Sequence, residues 1–387
     1  MIKTIVVRTN EIDDIEFAIQ SIKEQLDIEN NLRKNSVGII ACHYEFITSG
    51  AVKAICEALP FDVAGAVTIG QAVNEESGMF LLSIMVLTSD EASFVVKLTP
   101  SLSEDPCGMI EKTYNEAASQ IEGTPSLILP FAPFMLENSG DEYVDTFTRL
   151  SGGVPVFGTV SIDDTDTFEN NFVIFNGENY RDRMAMILIY AEINPRFLIA
   201  TISKDKILTK PALVTKSERH ILKEVNGRPV AEYFEDLGLK NASEMQYAMS
   251  SLPFMLDYGD GTPQVSKVFI GRTSENYAIC AGLMPEQSTI YIGVFDKDDV
   301  LFTTGEAIDK AVKDMGDVSC MLMYTCISRS MSLGGDSMAE MDLVRSSVGG
   351  KFPLLVACSG GEMCPTQISN SKAINRFHNN AFVICIL

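Results

Sequence analysis

Three times along its 387 residues this chain repeats one arrangement: an apolar run, a polar loop with a glycine-containing pair, a helical pattern and a second apolar run. One copy spans 319–365, where the apolar runs 321–325 and 353–357 bracket a polar crossover with Gly334-Gly335 before its helix and Gly349-Gly350 after it. Another runs from residue 37 to residue 65, with Ser49-Gly50 ahead of the helix. The third covers 126–163, with Ser139-Gly140 before the helix and Gly152-Gly153 behind it. Short apolar runs flanked by glycine read as buried strands, and a helix between two of them predicts a right-handed parallel crossover. Connections of about 25 residues suit that unit. The pattern therefore constrains the chain to an α/β fold, read here as two pseudo-repeated, closely packed α/β halves with mixed sheets flanked by helices.

Between the copies lie segments that read as antiparallel strands. Residues 79–87 and 93–98 are expected to pair, and 172–175, 184–190 and 197–202 to form a second group with a turn at Asn176-Gly177. A linker is expected near 203–211, where lysines and a proline interrupt the apolar pattern, dividing the chain into 1–203 and 204–387. Beyond it come a strand at 222–225, a helix opened by Pro229, a short helix at 242–249, a meander at 265–295 and a helix at 306–315.

Composition removes several classes of function. The chain carries 52 acidic against 30 basic residues, a net charge of −22, which repels phosphate backbones and anionic lipid. Neither a nucleic-acid nor a membrane partner is expected. The first residues meet charge too early for a signal peptide, and the apolar runs are too short to span a bilayer, so a cytoplasmic protein is expected. Nine cysteines, several inside apolar runs, suit reduced, buried thiols. No CxxC, GxGxxG, P-loop, GxSxG or HExxH occurs, and no cofactor is expected.

The copy at 319–365 carries the best site candidate. Its first apolar run ends in Cys326, Ser328 and Arg329, and its second in Ser359, Gly360, Gly361 and Glu362. If the two strands are neighbours, both clusters emerge at the carboxyl edge of one sheet, where open α/β sheets place ligands. Arg329 offers a planar fork for a carboxylate and Cys326 a thiol; the alternative is a packed thiol with Arg329 paired to an acid such as Glu362. Glu362 can accept an amino group, with the glycines allowing close backbone approach. Asp163, Asp164 and Asp166 form an acidic cluster without the EF-hand pattern, so a solvated loop is favoured over a cation site and no metal is expected. A rival to ligand binding is a cysteine-dependent hydrolase or transferase using Cys326, with His378 as its base.

These residues carry a family likeness. The run Val156-Phe157-Gly158 with Ser161 and Asp163-Asp164, the segment 224–239, Leu252-Pro253-Phe254 through Arg272, Cys326 with Arg329, and Gly361-Glu362-Met363 with Pro365 together resemble the FIST family. The chain departs from the family pattern at Ile327-Ser328 and Ser330. The resemblance implies an N-terminal and a C-terminal FIST domain in an intracellular sensory protein; relatives can be fused to output domains, and this chain is read as a stand-alone member. It further implies a small polar ligand such as an amino acid; a protein output partner in trans and no catalysis are expected alongside. It keeps Asp163 and Asp164 as candidate contacts between the halves. The expected ligand wall is then Cys326, Ser328, Arg329, Ser359, Gly361 and Glu362, with Asp163 and Asp164 nearby.

Overall fold

The computed structural model describes residues 1–387 except 136, 166, 239–251, 314–317 and 371. In the first unit β1 (Lys3–Thr9), a helix (Ile15–Leu26), β2 (Asn35–Cys42), a helix (Ala51–Glu57) and β3 (Asp62–Val67) follow one another. A hairpin of β4 (Gln71–Val73) and β5 (Ser77–Gly78) then leads to β6 (Leu82–Ser89). The second unit repeats this order with β7 (Ser93–Leu98), a helix (Pro106–Ala118), β8 (Leu127–Ala132), a helix (Gly140–Ser151) and β9 (Gly158–Val160). Its hairpin is β10 (Val173–Phe175) with β11 (Glu178–Tyr180), and β12 (Ala185–Tyr190) closes it.

The third unit opens with β13 (Arg196–Ala200) and is then interrupted by an inserted antiparallel sheet. That sheet holds β14 (Ala212–Glu218), β15 (Ile221–Val225), β16 (Arg228–Pro229), β17 (Phe254–Asp257), β18 (Val265–Lys267), β19 (Phe269–Arg272), β20 (Ala278–Cys280) and β21 (Thr289–Ile292). The unit resumes with a helix (Lys297–Lys313), β22 (Met321–Cys326), helices Ile327–Ser332 and Ala339–Val348, and β23 (Leu354–Ser359). It ends with the hairpin β24 (Glu362–Ser369) and β25 (Lys372–His378), and with β26 (Phe382–Ile386).

The α/β class, with mixed sheets flanked by helices, is what the structure shows, and the threefold repetition gives it its shape. Each unit centres one six-stranded sheet: β1-β6-β2-β3-β10-β11, β7-β12-β8-β9-β24-β25 and β13-β26-β22-β23-β4-β5. In each sheet the pair formed by the two crossover strands is parallel and its neighbours are antiparallel. The outer hairpin of every sheet belongs to another unit. Second-unit β10 and β11 complete the first sheet, third-unit β24 and β25 the second, and first-unit β4 and β5 the third. This exchange closes a ring of three sheets.

One face of each sheet meets the others in a shared core that includes Phe131, Phe157, Tyr324 and Leu355. The opposite faces pack on the helices. Phe157 stacks on Tyr324 with centroids 5.3 Å apart. A void of about 10 Å³ remains beside Phe131 and Tyr324, at the lower limit for one water. The centre is packed rather than a channel.

Two expected strand groupings are corrected. Residues 79–87 and 93–98 do not pair: β6 lies between β1 and β2, whereas β7 pairs with β12 in another sheet. The group 172–175, 184–190 and 197–202 divides among all three sheets, through β10, β12 and β13. Adjacent segments separate because each hairpin crosses to a neighbouring sheet while the following strand returns to its own. The Asn176-Gly177 turn is formed, with φ of 50° and 84°. The helix expected at 306–315 starts earlier and spans Lys297–Lys313, and residues 314 and 315 lie outside the described residues. The short helix expected at 242–249 falls outside them too.

The inserted sheet is held on the second unit by the first turn of the helix Gly140–Ser151. Lys267, wholly buried at the end of β18, donates to both Asp141 carboxylate oxygens and to the Phe377 carbonyl, each at 2.8 Å. Arg219 bonds the next residue, Glu142, from its Nε at 2.9 Å. A buried ammonium is costly unless paired and hydrogen-bonded, so this contact orients the two bodies.

Candidate functional site

Parallel pairing places Cys326 directly beside Ser359 at the carboxyl ends of β22 and β23. The chain leaves β23 through Gly360 and Gly361 and re-enters as β24, where Glu362 lies opposite Thr159 of β9 and His378 of β25. Gly361 has a φ of 155° and packs on Phe377, which would stand 2.3 Å from a Cβ there. A side chain cannot occupy that position, so the close approach requires glycine. The turn is pinned by Ser359 Oγ, which donates to the Gly361 carbonyl at 2.7 Å and accepts from its N–H at 3.1 Å. Thr159 Oγ1 bonds the same hydroxyl at 2.7 Å.

Cys326, Ser328, Ser359, Gly361 and Glu362 are therefore brought together, all buried. Ser328 Oγ donates to the Cys326 sulfur at 3.1 Å. Neither Glu362 oxygen is within full hydrogen-bonding geometry of a partner among the described residues. The Ser359 hydroxyl, the Cys326 thiol and the Ala381 backbone N–H lie near enough to favour the carboxylate, but Ser359 is already engaged with Gly361. Burial outweighs all three, along with the positive field of Arg329, and holds the Glu362 carboxyl well above its ordinary range. Burial, with the Glu362 carboxylate second, pushes the Cys326 thiol up to about 12.

Arg329 points elsewhere. Its Nε donates to Glu340 at 2.8 Å, and Nη2 bonds the Val300 carbonyl at 3.0 Å and Thr304 Oγ1 at 2.7 Å. The guanidinium also lies over the Phe295 ring at 5.0 Å. Its partner acid is Glu340, not Glu362. Sequence reasoning missed Glu340, although a signal existed: Glu340, Val344 and Val348 fall four residues apart on the buried side of one helix. An acid on an apolar stripe needs a buried counter-charge.

Asp163 and Asp164 serve other loops. Asp163, buried, accepts from the Thr165 backbone N–H at 2.7 Å and from its hydroxyl, and also from the Asn170 N–H, closing the loop after β9. Asp164 bonds His43 Nε2 at 3.3 Å, tying that loop to the end of β2. Asp166 lies outside the described residues, and among those described no group of three or more His, Cys, Asp or Glu is placed to hold a metal.

The cluster is poorly arranged for cysteine chemistry. A thiol pushed up to about 12 is protonated at neutral pH, and the thiolate is the nucleophile. His378 is wholly buried, bonds the Cys364 carbonyl through Nε2 at 3.1 Å, and is pushed down to about 4 by burial. Iodoacetamide is accordingly expected to modify Cys107, the one cysteine that is not buried, well before Cys326 in the native protein. Peptide mass spectrometry checks this, and preferential modification of Cys326 would contradict the account.

Comparison with known proteins agrees with the motifs. The FIST N domain matches residues 36–228 and the FIST C domain residues 229–365. No curated protein matches the chain. Among solved structures, a cyanuric acid hydrolase from A. caulinodans is similar over 100% of this chain and 99% of its own, at 9% identity and a TM-score of 0.40. No helix among the described residues is long and apolar enough to cross a membrane. With both of its domain types matched in order along the sequence, the chain belongs to the FIST family, whose domains are sensory modules associated with small-ligand binding.

Proposed function

We propose that this protein is an intracellular sensor of a small amine-bearing metabolite such as an amino acid, received at the ends of β22 and β23 and reported to a protein partner in trans without chemical change. The unsatisfied, wholly buried carboxyl of Glu362 carries the reading. Leaving a buried polar group without a partner costs about 1–3 kcal/mol, more for a charged one. An ammonium group on a ligand would recover that cost while returning Glu362 to its ionised form. Cys326, Ser328 and Ser359 furnish the adjoining polar wall, and Gly361 lets the backbone turn beside it. Arg329 acts as a positioning residue, fixing the helix that follows Cys326 through Glu340. Asp163 and Asp164 shape the neighbouring loop of the second unit.

A thermal-shift series with glycine, alanine, serine and methylammonium tests the reading on the parent protein and on Glu362→Gln. A ligand at a hundredfold excess over its Kd stabilises a protein by about 2.7 kcal/mol. A concentration-dependent rise in Tm for the parent, absent from Glu362→Gln, is the expected result. An equal rise in both would remove Glu362 from the site, and no rise with any amine would remove the amine-sensing function.

A further inference from the structure

A second hollow lies at the joint between the second unit and the inserted sheet. It measures about 30 Å³ and is bounded by the first turn of the helix Gly140–Ser151 on one side and by His220, Ile270 and Cys280 on the other. We propose that this cleft is a separate binding site for a small uncharged hydrogen-bonding group, an amide or alcohol, anchored by the Tyr143 hydroxyl and the His220 imidazole.

Two observations converge on those anchors. Tyr143 lines the cleft and is 2% exposed, yet its hydroxyl makes no hydrogen bond among the described residues. The Asn138 side chain lies near it, but the Asn138 amide nitrogen is engaged with the Leu102 carbonyl at 3.3 Å and with the Met135 sulfur. His220, from the inserted sheet, also lines the cleft, and its buried Nδ1 has no partner among the described residues. Two unsatisfied groups on residues lining one hollow, one from the helix and one from the inserted sheet, are the pattern of a ligand pocket, where a few polar atoms fix orientation on an otherwise apolar surface.

The charge of the occupant follows from the lining. No Asp, Glu, Lys or Arg lines the cleft among the described residues. Asp141 and Glu142, on the same helical turn, are already paired with Lys267 and Arg219. Burial and the neighbouring Arg219 hold the His220 imidazole below its ordinary range, so it is neutral at pH 7. A charged occupant would have no counter-ion, and burying it would be costly. The volume corresponds to about two or three water-sized positions, which suits the amide or hydroxyl end of a small molecule.

The location gives binding a consequence. The cleft sits beside the two ion pairs that hold the inserted sheet to the helix, so an occupant bridging Tyr143 and His220 adds a link across the same joint.

Saturation-transfer NMR on the full chain with acetamide, acetate and methylammonium tests the site. Acetamide is expected to receive saturation from the parent protein, with the signal about fivefold weaker in Tyr143→Phe and in His220→Ala, the loss that one hydrogen bond implies. Tyr143→Phe is expected to melt no lower than the parent, because the hydroxyl it removes has no partner. The acetamide signal is expected to survive in Glu362→Gln, which separates this site from the amine site proposed above. An acetamide signal absent from the parent, unchanged in Tyr143→Phe and His220→Ala, or equalled by a Tyr143-dependent acetate signal would overturn the proposal.

Discussion

Arg329→Ala is expected to destabilise the protein by about 3–5 kcal/mol, the usual cost of removing one member of a buried ion pair. The guanidinium is 0% exposed and Glu340 2% exposed, so its loss strands a carboxylate in packed surroundings. Glu340 also accepts the hydroxyls of Thr304 and Thr325. The network thereby joins the helix Lys297–Lys313, strand β22 and the two helices that follow it. Denaturant unfolding measures the effect, and a loss below about 1 kcal/mol would contradict it. The double change Arg329→Met with Glu340→Leu should recover part of the stability, because it leaves no unpaired charge, although the buried Thr304 and Thr325 hydroxyls lose their acceptor. Any ligand response must therefore be tested through Glu362, since Arg329→Ala would weaken the fold whether or not Arg329 touches a ligand.

The second large effect concerns pH. Glu362 has a folded-state pKa raised by burial, so across the interval between its unfolded and folded values the native state holds more protons than the unfolded state. Stability then falls as pH rises through that interval, by up to about 1.4 kcal/mol per pH unit from this one group. The contribution is fully present below the ordinary carboxyl range and is lost above it. Glu362→Gln cannot titrate and should lack the slope. Other carboxylates, such as Asp90 and Asp260, are held below their ordinary values by hydrogen bonds and ion pairs, and they tilt the curve the opposite way in both proteins. The difference between parent and variant therefore isolates Glu362. It should favour the variant at neutral pH and shrink as the solution is acidified toward about pH 4. Equal pH slopes in the two proteins would show that Glu362 is solvated after all.

Local chemistry determined much of this architecture in advance. Asp14 caps the first helix by accepting the Phe17 N–H at 3.0 Å, and Ser139 opens the helix Gly140–Ser151 with a capping box completed by Glu142. Gly152 and Gly349 end their helices in the left-handed conformation, and Asn176-Gly177 turns the β10–β11 hairpin. Each of these depends on residues within a few positions of one another, so the pattern is legible in the chain. The neighbouring positions of Cys326 and Ser359 were legible too, because a parallel crossover brings the ends of its two strands together.

The partners of those elements were decided only by the tertiary structure. An apolar strand records which face is buried but not which edge it will meet, since any free strand edge offers the same backbone donors and acceptors. Hence the exchange of hairpins among three sheets, the docking of Lys267 on Asp141 and the turning of Arg329 toward Glu340 are absent from local pattern. Long-range packing selects them, because a buried charge is stable only where another part of the chain supplies its counter-charge.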